Sequence, residues 1–155
     1  MATILIVDDR PSNRSYLRVL LGYTDHRILE AEDGAQALAI TRAERPDLII
    51  TDILMPTMDG YEFVQQLRAD PELRDTRVIF FSAVYSKRET LAMAVRCGVT
   101  TVLGKPADRA DAEGVVKAGA ELERAVRNEA KTICDKYVSP PQTTDFAILF
   151  LPTEG

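Results

Sequence analysis

Apolar residues in this chain come in runs of three to five, separated by longer stretches in which they recur every three or four positions. The short runs fall at 4–7, 27–31, 48–51, 78–82 and 101–103, and most are too apolar to leave a wet face. Strands buried on both faces belong to a parallel sheet. Between them, 12–21, 35–44, 60–68 and 88–95 carry apolar residues at helical spacing, as Leu17, Leu20 and Leu21 do, and are predicted to be helices covering that sheet. Asp33-Gly34, Arg45-Pro46, Asp59-Gly60, Asp70-Pro71, Cys97-Gly98 and Lys105-Pro106 punctuate the boundaries. The pattern predicts an α/β fold of five strand–helix units.

The pattern changes after Pro106. Residues 108 to about 137 contain no proline and read as one helix near thirty residues, longer than a covering helix needs, so that part of it should project. Val115, Gly119, Leu122, Val126 and Ile133 follow a rough 3.5-residue seam, broken by Glu129, as expected of a short coiled coil or a helix packed on a partner. Ser139-Pro140-Pro141 ends the helix, and 146–151 reads as a buried strand that needs a sheet to join.

Length and composition fit one soluble domain, with 155 residues, 46% hydrophobic and 28% charged. The longest apolar runs, 78–81 and 146–151, fall far short of the ~20 residues of a membrane helix. The N-terminus enters its first apolar run without a basic leader or a cleavage signal, so a cytoplasmic location is expected. Cys97 and Cys134 have no Cys or His neighbours at metal-ligand spacing and read as reduced packing residues. A net charge of -5 argues against direct nucleic-acid binding.

Ligands of parallel α/β sheets bind beyond the carboxyl ends of the strands. There the chain places Asp8 and Asp9 after the first strand, Asp52 after the third, Ser82 at the end of the fourth and Lys105 after the fifth. Three carboxylates brought together repel unless a hard divalent cation and an ammonium group share the site, and Mg²⁺ suits such oxygen donors while keeping waters for an incoming phosphoryl group. Taken singly, Asp8 and Asp9 could cap the first helix and Lys105 could be a solvated loop charge; the convergence of all of them favours a site.

Ile6-Val7-Asp8-Asp9, Asp52-Ile53-Leu54-Met55-Pro56 through Asp59-Gly60, Ser82-Ala83 and Lys105-Pro106 resemble, in order and in placement, the response-regulator receiver domain of two-component signalling, the CheY-like family, over residues 1–122. The resemblance implies a (βα)5 doubly wound five-stranded parallel sheet in the order 2-1-3-4-5, to which this chain adds the extended C-terminal helix and the short tail strand read above. It implies that Asp52 is the phosphoacceptor, taking a phosphoryl group from a sensor histidine kinase, a phosphotransfer protein or a small phosphodonor. Asp9 and Asp52 would bind Mg²⁺ directly, Asp8 through a water, with the Leu54 backbone carbonyl completing the protein ligands. Lys105 and Ser82 would hold phosphate oxygens. The output would be a change in protein contacts on the face formed by the fourth helix, the fifth strand and the long fifth helix, with no enzymatic activity beyond self-catalysed phosphoryl transfer and dephosphorylation.

Two departures from the family pattern stand out. Val102 occupies the position, three before the lysine, that usually carries the switch Tyr or Phe, which leaves the aromatic role absent or displaced onto Tyr85. Leu54 and Val84, two residues beyond the phosphoacceptor and the hydroxyl residue, are apolar and unable to orient a hydrolytic water, so slow autodephosphorylation is expected. Pro56, Asp59 and Gly60 read as loop-shaping and helix-starting residues, Met55 and Met58 as packing, His26 as a surface residue, and Arg10 as a pocket neighbour that could meet a partner or phosphate.

Residues 121–155, above all Pro140-Pro141-Gln142-Thr143-Thr144-Asp145-Phe146-Ala147-Ile148-Leu149-Phe150-Leu151, resemble a fragment of the RmuC family, linked to DNA recombination. The fragment is too short to carry over a nuclease activity. The expected organisation is a receiver over 1–122 and a helix extension with tail over 123–155 that is no independent domain. Two functions remain open: a phosphorylation switch acting on an unknown downstream protein, or a structural module in which the receiver is a scaffold and the tail drives homodimer assembly.

Overall fold

The computed structural model describes residues 2–22, 25–83, 87–99, 101–106 and 112–138. Five strands, β1 (Thr3–Val7), β2 (Arg27–Ala31), β3 (Leu48–Thr51), β4 (Arg77–Ser82) and β5 (Thr101–Gly104), alternate with five helices. The helices are α1 (Pro11–Leu21), α2 (Gly34–Glu44), α3 (Gly60–Ala69), α4 (Lys87–Arg96) and α5 (Ala112–Val138). All strand pairs are parallel and the sheet order is β2-β1-β3-β4-β5, as expected. The boundaries predicted from periodicity fall within one residue of these for every strand and for α1 to α4.

The two-residue period of the strands divides the core into two layers. Leu5, Val7, Ile49, Val78 and Phe80 face one way and pack with Leu38 of α2, Phe63, Val64 and Leu67 of α3 and Ala94 of α4. Ile4, Ile6, Leu48, Ile50, Ile79 and Phe81 face the other way and pack with Leu17 and Leu21 of α1 and Leu122 and Val126 of α5. Burying each such side chain stabilises the fold by about 1.5–3 kcal/mol, which is why β1, β3 and β4 are wholly apolar between their end residues.

Helix starts follow from single side chains. Asp33 caps α2 by accepting from Gln36 N at 2.8 Å, and Asp59 caps α3 by accepting from Glu62 N at 2.7 Å. α1 begins with Pro11, and its N-cap Arg10 makes no side-chain cap, so neither Asp8 nor Asp9 serves as its capping residue.

The seam predicted along α5 needs correction. Leu122 and Val126 are buried against the chain's own sheet, and Gly119 lies under α1, where a Cβ would come within 2.9 Å of Tyr16 Oη. These residues are therefore occupied within the chain and not held out to a partner helix. Glu129 interrupts the seam because at that point the helix passes the amino-terminal end of β4, where its Oε2 accepts from Arg77 Nη1 at 2.7 Å. Beyond it, residues 130–138 continue for about 13 Å at 1.5 Å per residue. The side chains of Ile133 and Cys134, the tail strand over 146–151, and Val84 and Tyr85 lie outside the described residues.

Candidate functional site

Registers bring the strand ends together. Val7 is paired with Thr51, Thr51 with Phe80, and Ser82 with Gly104, so Asp8, Asp52, Ser82 and Lys105 emerge side by side at the carboxyl edge. The crevice lies where the strand order reverses, between β1 and β3, since α1 leads to β2 on one side and the remaining units build on the other. Backbone bonds fix this edge: Asp52 N donates to Val7 O at 2.9 Å and Lys105 N to Ser82 O at 2.9 Å.

Asp52 is almost fully enclosed, and both of its carboxylate oxygens have donors. Oδ1 accepts from Ser82 Oγ and from Ile53 N, each at 2.7 Å, and Oδ2 accepts from Lys105 Nζ at 2.7 Å. The same ammonium donates to Asp8 Oδ2 at 2.6 Å and so bridges the two acids. Asp8 is buried, and its Oδ1 accepts from Arg10 N at 2.9 Å and faces Asn13 Nδ2 at 3.4 Å. These are charge-assisted contacts, about twice as strong as neutral ones.

Asp9 is exposed, and carboxylate oxygens of Asp8, Asp9 and Asp52 lie within 4.8 Å of one another. Three hard oxygen donors at that spacing, one of them open to solvent, fit Mg²⁺, which takes one or two carboxylates and keeps several waters. The floor beneath them depends on a glycine. Gly60 N donates to Ile53 O at 2.7 Å, and a Cβ at Gly60 would lie 1.9 Å from Asp52 O, so no other residue fits there without moving the acid.

All the side chains singled out from sequence, Asp8, Asp9, Asp52, Ser82 and Lys105, meet here. The Leu54 side chain stands at the rim, 57% exposed, while Met55 and Met58 pack partly onto the core below. Val102 is half-buried against the same core layer. His26 lies at the opposite end of the sheet, where its Nδ1 accepts from Ala2 N at 3.1 Å; it is a half-buried structural group rather than a surface one.

Two contributors escaped the sequence reading. Asn13 faces Asp8 from the first turn of α1, and Arg14 Nη1 donates to the Asp8 carbonyl at 2.8 Å. The available signal was their position, four and five residues after Asp9 on a helix that must start beside the acid pair. Among the described residues no helix is long and apolar enough to cross a membrane.

Comparison with known proteins agrees with this geometry. The family model for the response regulator receiver domain matches residues 4–117. Protein PilH of Pseudomonas aeruginosa is 35% identical over 108 residues, covering 70% of this chain and 88% of that protein. The structure of the chemotaxis protein CheY4 of Vibrio cholerae superposes with a TM-score of 0.65 at 31% identity, over 80% of this chain and 98% of that one. A separate, short likeness, 58% identity over 48 residues, links 31% of this chain to 10% of a DNA recombination protein RmuC homolog of Xylella fastidiosa. With the matched sequence, the sheet order and the acid crevice all in agreement, the chain belongs to the response regulator receiver family.

Proposed function

We propose that the chain is a phosphoacceptor switch in which Asp52 takes a phosphoryl group from a sensor histidine kinase, a phosphotransfer protein or a small phosphodonor. The observation that carries this reading is the arrangement around Asp52, a carboxylate gripped by Ser82 and Lys105 and facing two further acids. An Asp52 oxygen attacks phosphorus, the bond from phosphorus to the donor's nitrogen or oxygen breaks, and the donor leaves with that electron pair. Lys105 follows the phosphoryl oxygens as their charge grows, and the Ser82 hydroxyl turns from the Asp52 carboxylate to donate to a phosphoryl oxygen. Asp9 and Asp52, with Asp8 and the Leu54 carbonyl, would hold Mg²⁺, which when bound neutralises charge shared by the carboxylates and the incoming phosphoryl group.

The reading treats residues 1–122 as the receiver and 123–155 as an extension without a core of its own. The switched surface is α4, β5 and α5, where Leu91, Val95 and Val116 are the large apolar side chains left exposed among the described residues. The rearrangement begins at Ser82, which ends β4 beside Gly104, and at Lys105, which follows β5.

The test is intact mass after incubation with Mg²⁺ and acetyl phosphate or phosphoramidate, beside Asp52→Asn and an EDTA control. One added phosphoryl group is expected, dependent on both metal and Asp52. Its absence under saturating Mg²⁺ would leave the receiver as a scaffold and move attention to the tail.

A further inference from the structure

The Asp8 carbonyl stands one residue past the last register pair of β1 and β2, Val7 with Ala31, where the ladder stops. Its donor comes from a side chain: Arg14 Nη1 at 2.8 Å. The rest of that guanidinium lies between two carboxylates at the end of β2, with Nε 3.6 Å from Glu30 Oε1 and Nη2 3.8 Å from Glu32 Oε1, and only 13% of the side chain is exposed. One arginine thus ties the first turn of α1 to the ends of β1 and β2.

A peptide unit is planar, so holding the Asp8 oxygen also holds the Asp9 nitrogen and Cα. Asp9 is the exposed member of the acid cluster; the peptide plane after it is held by Arg10 N on Asp8 Oδ1 at 2.9 Å, and the plane before it by Arg14 on the Asp8 carbonyl at 2.8 Å. We infer that Arg14 is a positioning residue for the cation site: through the Asp8 carbonyl it sets where the Asp9 carboxylate stands relative to Asp52. This rests on the reading of the three acids as a Mg²⁺ site.

The inference has a sign that separates it from a plain charge effect. A guanidinium near a cation site repels the cation, so an Arg14 that acted only through its charge would weaken Mg²⁺ binding, and its removal would tighten it. A guanidinium that holds the carboxylates in place has the opposite effect, because Mg²⁺ demands near-octahedral geometry while Ca²⁺ tolerates irregular cages. Groups that orient metal ligands in this way change affinity by about 10–100-fold when lost.

The experiment is calorimetric titration of the full chain with Mg²⁺ and with Ca²⁺, for wild type, Arg14→Met and Arg14→Lys, with thermal melts in EDTA. Arg14→Met keeps most of the stem and removes the fork. Arg14→Lys keeps the charge but has no planar fork to reach the carbonyl and both glutamates together. Expected is a Mg²⁺ dissociation constant about tenfold or more higher in both variants, with a smaller loss for Ca²⁺. Tighter or unchanged Mg²⁺ binding in Arg14→Met, or equal losses for the two cations, overturns the inference. If Arg14→Met does not fold, unchanged Mg²⁺ affinity in Arg14→Lys overturns it equally. Failure of the wild type to bind Mg²⁺ overturns the site reading itself, and the inference with it.

Discussion

Among the described residues Lys105 is the cation that joins Asp8 to Asp52, and its removal has a consequence that metal should reverse. Nζ lies 2.6 Å from Asp8 Oδ2 and 2.7 Å from Asp52 Oδ2, with side-chain exposures of 10%, 2% and 11% for the lysine and the two acids. At that burial the surface value for an ion pair, below about 1 kcal/mol, does not apply. Removing one partner of a buried pair leaves uncompensated charge and costs about 3–5 kcal/mol. Lys105→Met, which keeps an apolar stem of similar length, is therefore expected to lower the melting temperature in EDTA by about 6–20 °C, at roughly 2–4 °C per kcal/mol for a chain of this size. Mg²⁺ at about 100 times its dissociation constant returns about 2.7 kcal/mol to any folded state that binds it. The variant should gain more from a given Mg²⁺ concentration than the wild type, whose ammonium already neutralises the same oxygens. The assay is calorimetric melting of both proteins in EDTA and across a Mg²⁺ series. Equal melting temperatures in EDTA, or a Mg²⁺ shift in the variant no larger than in the wild type, would refute the reasoning.

Three further outcomes can be measured independently. Burial lowers the His26 pKa, so its contribution to stability is full above the unfolded value of about 6.5 and is lost as pH falls through the lower folded value; wild type should melt earlier at pH 5.5 than at pH 7, and His26→Gln should lose less, equal losses counting against the argument. Thr57, a β-branched residue at φ 69° in the loop after Asp52, bears a left-handed conformation costing about 1–2 kcal/mol, part of which glycine returns through its own chain entropy; Thr57→Gly should raise the melting temperature by about 1–4 °C, and a fall would show that the side chain, not the backbone, sets the loop. Leu54 leaves an apolar rim beside Asp52; Leu54→Asn combined with Val84→Glu should shorten the lifetime of the phosphorylated protein, and an unchanged lifetime in an intact-mass time course removes the water-positioning explanation.

How much of this was legible in the sequence depends on whether the cause is local. The strands could be read because each is covered on both faces: Leu5 and Ile6 both need apolar neighbours, so the run carries its own signature. Asp8, Asp52, Ser82 and Lys105 could be read as a site because parallel pairing forces strand ends into one row, so position along the chain implies proximity. The seam of α5 could be read as a seam but not assigned a partner, because an apolar stripe has the same spacing whether it meets a second helix or its own sheet; only the tertiary packing of Leu122 and Val126 decides it. Glu129 looked like a defect in that stripe, yet it marks where the helix clears the sheet and meets Arg77, 52 residues earlier. Position alone placed Arg14 near the acids; its partner could not be read, since the acceptor is a backbone carbonyl, which every residue has and no sequence pattern distinguishes. The chemistry of the site is thus written in residue types at strand ends, while its precision is set by a main-chain oxygen and the arginine that reaches it.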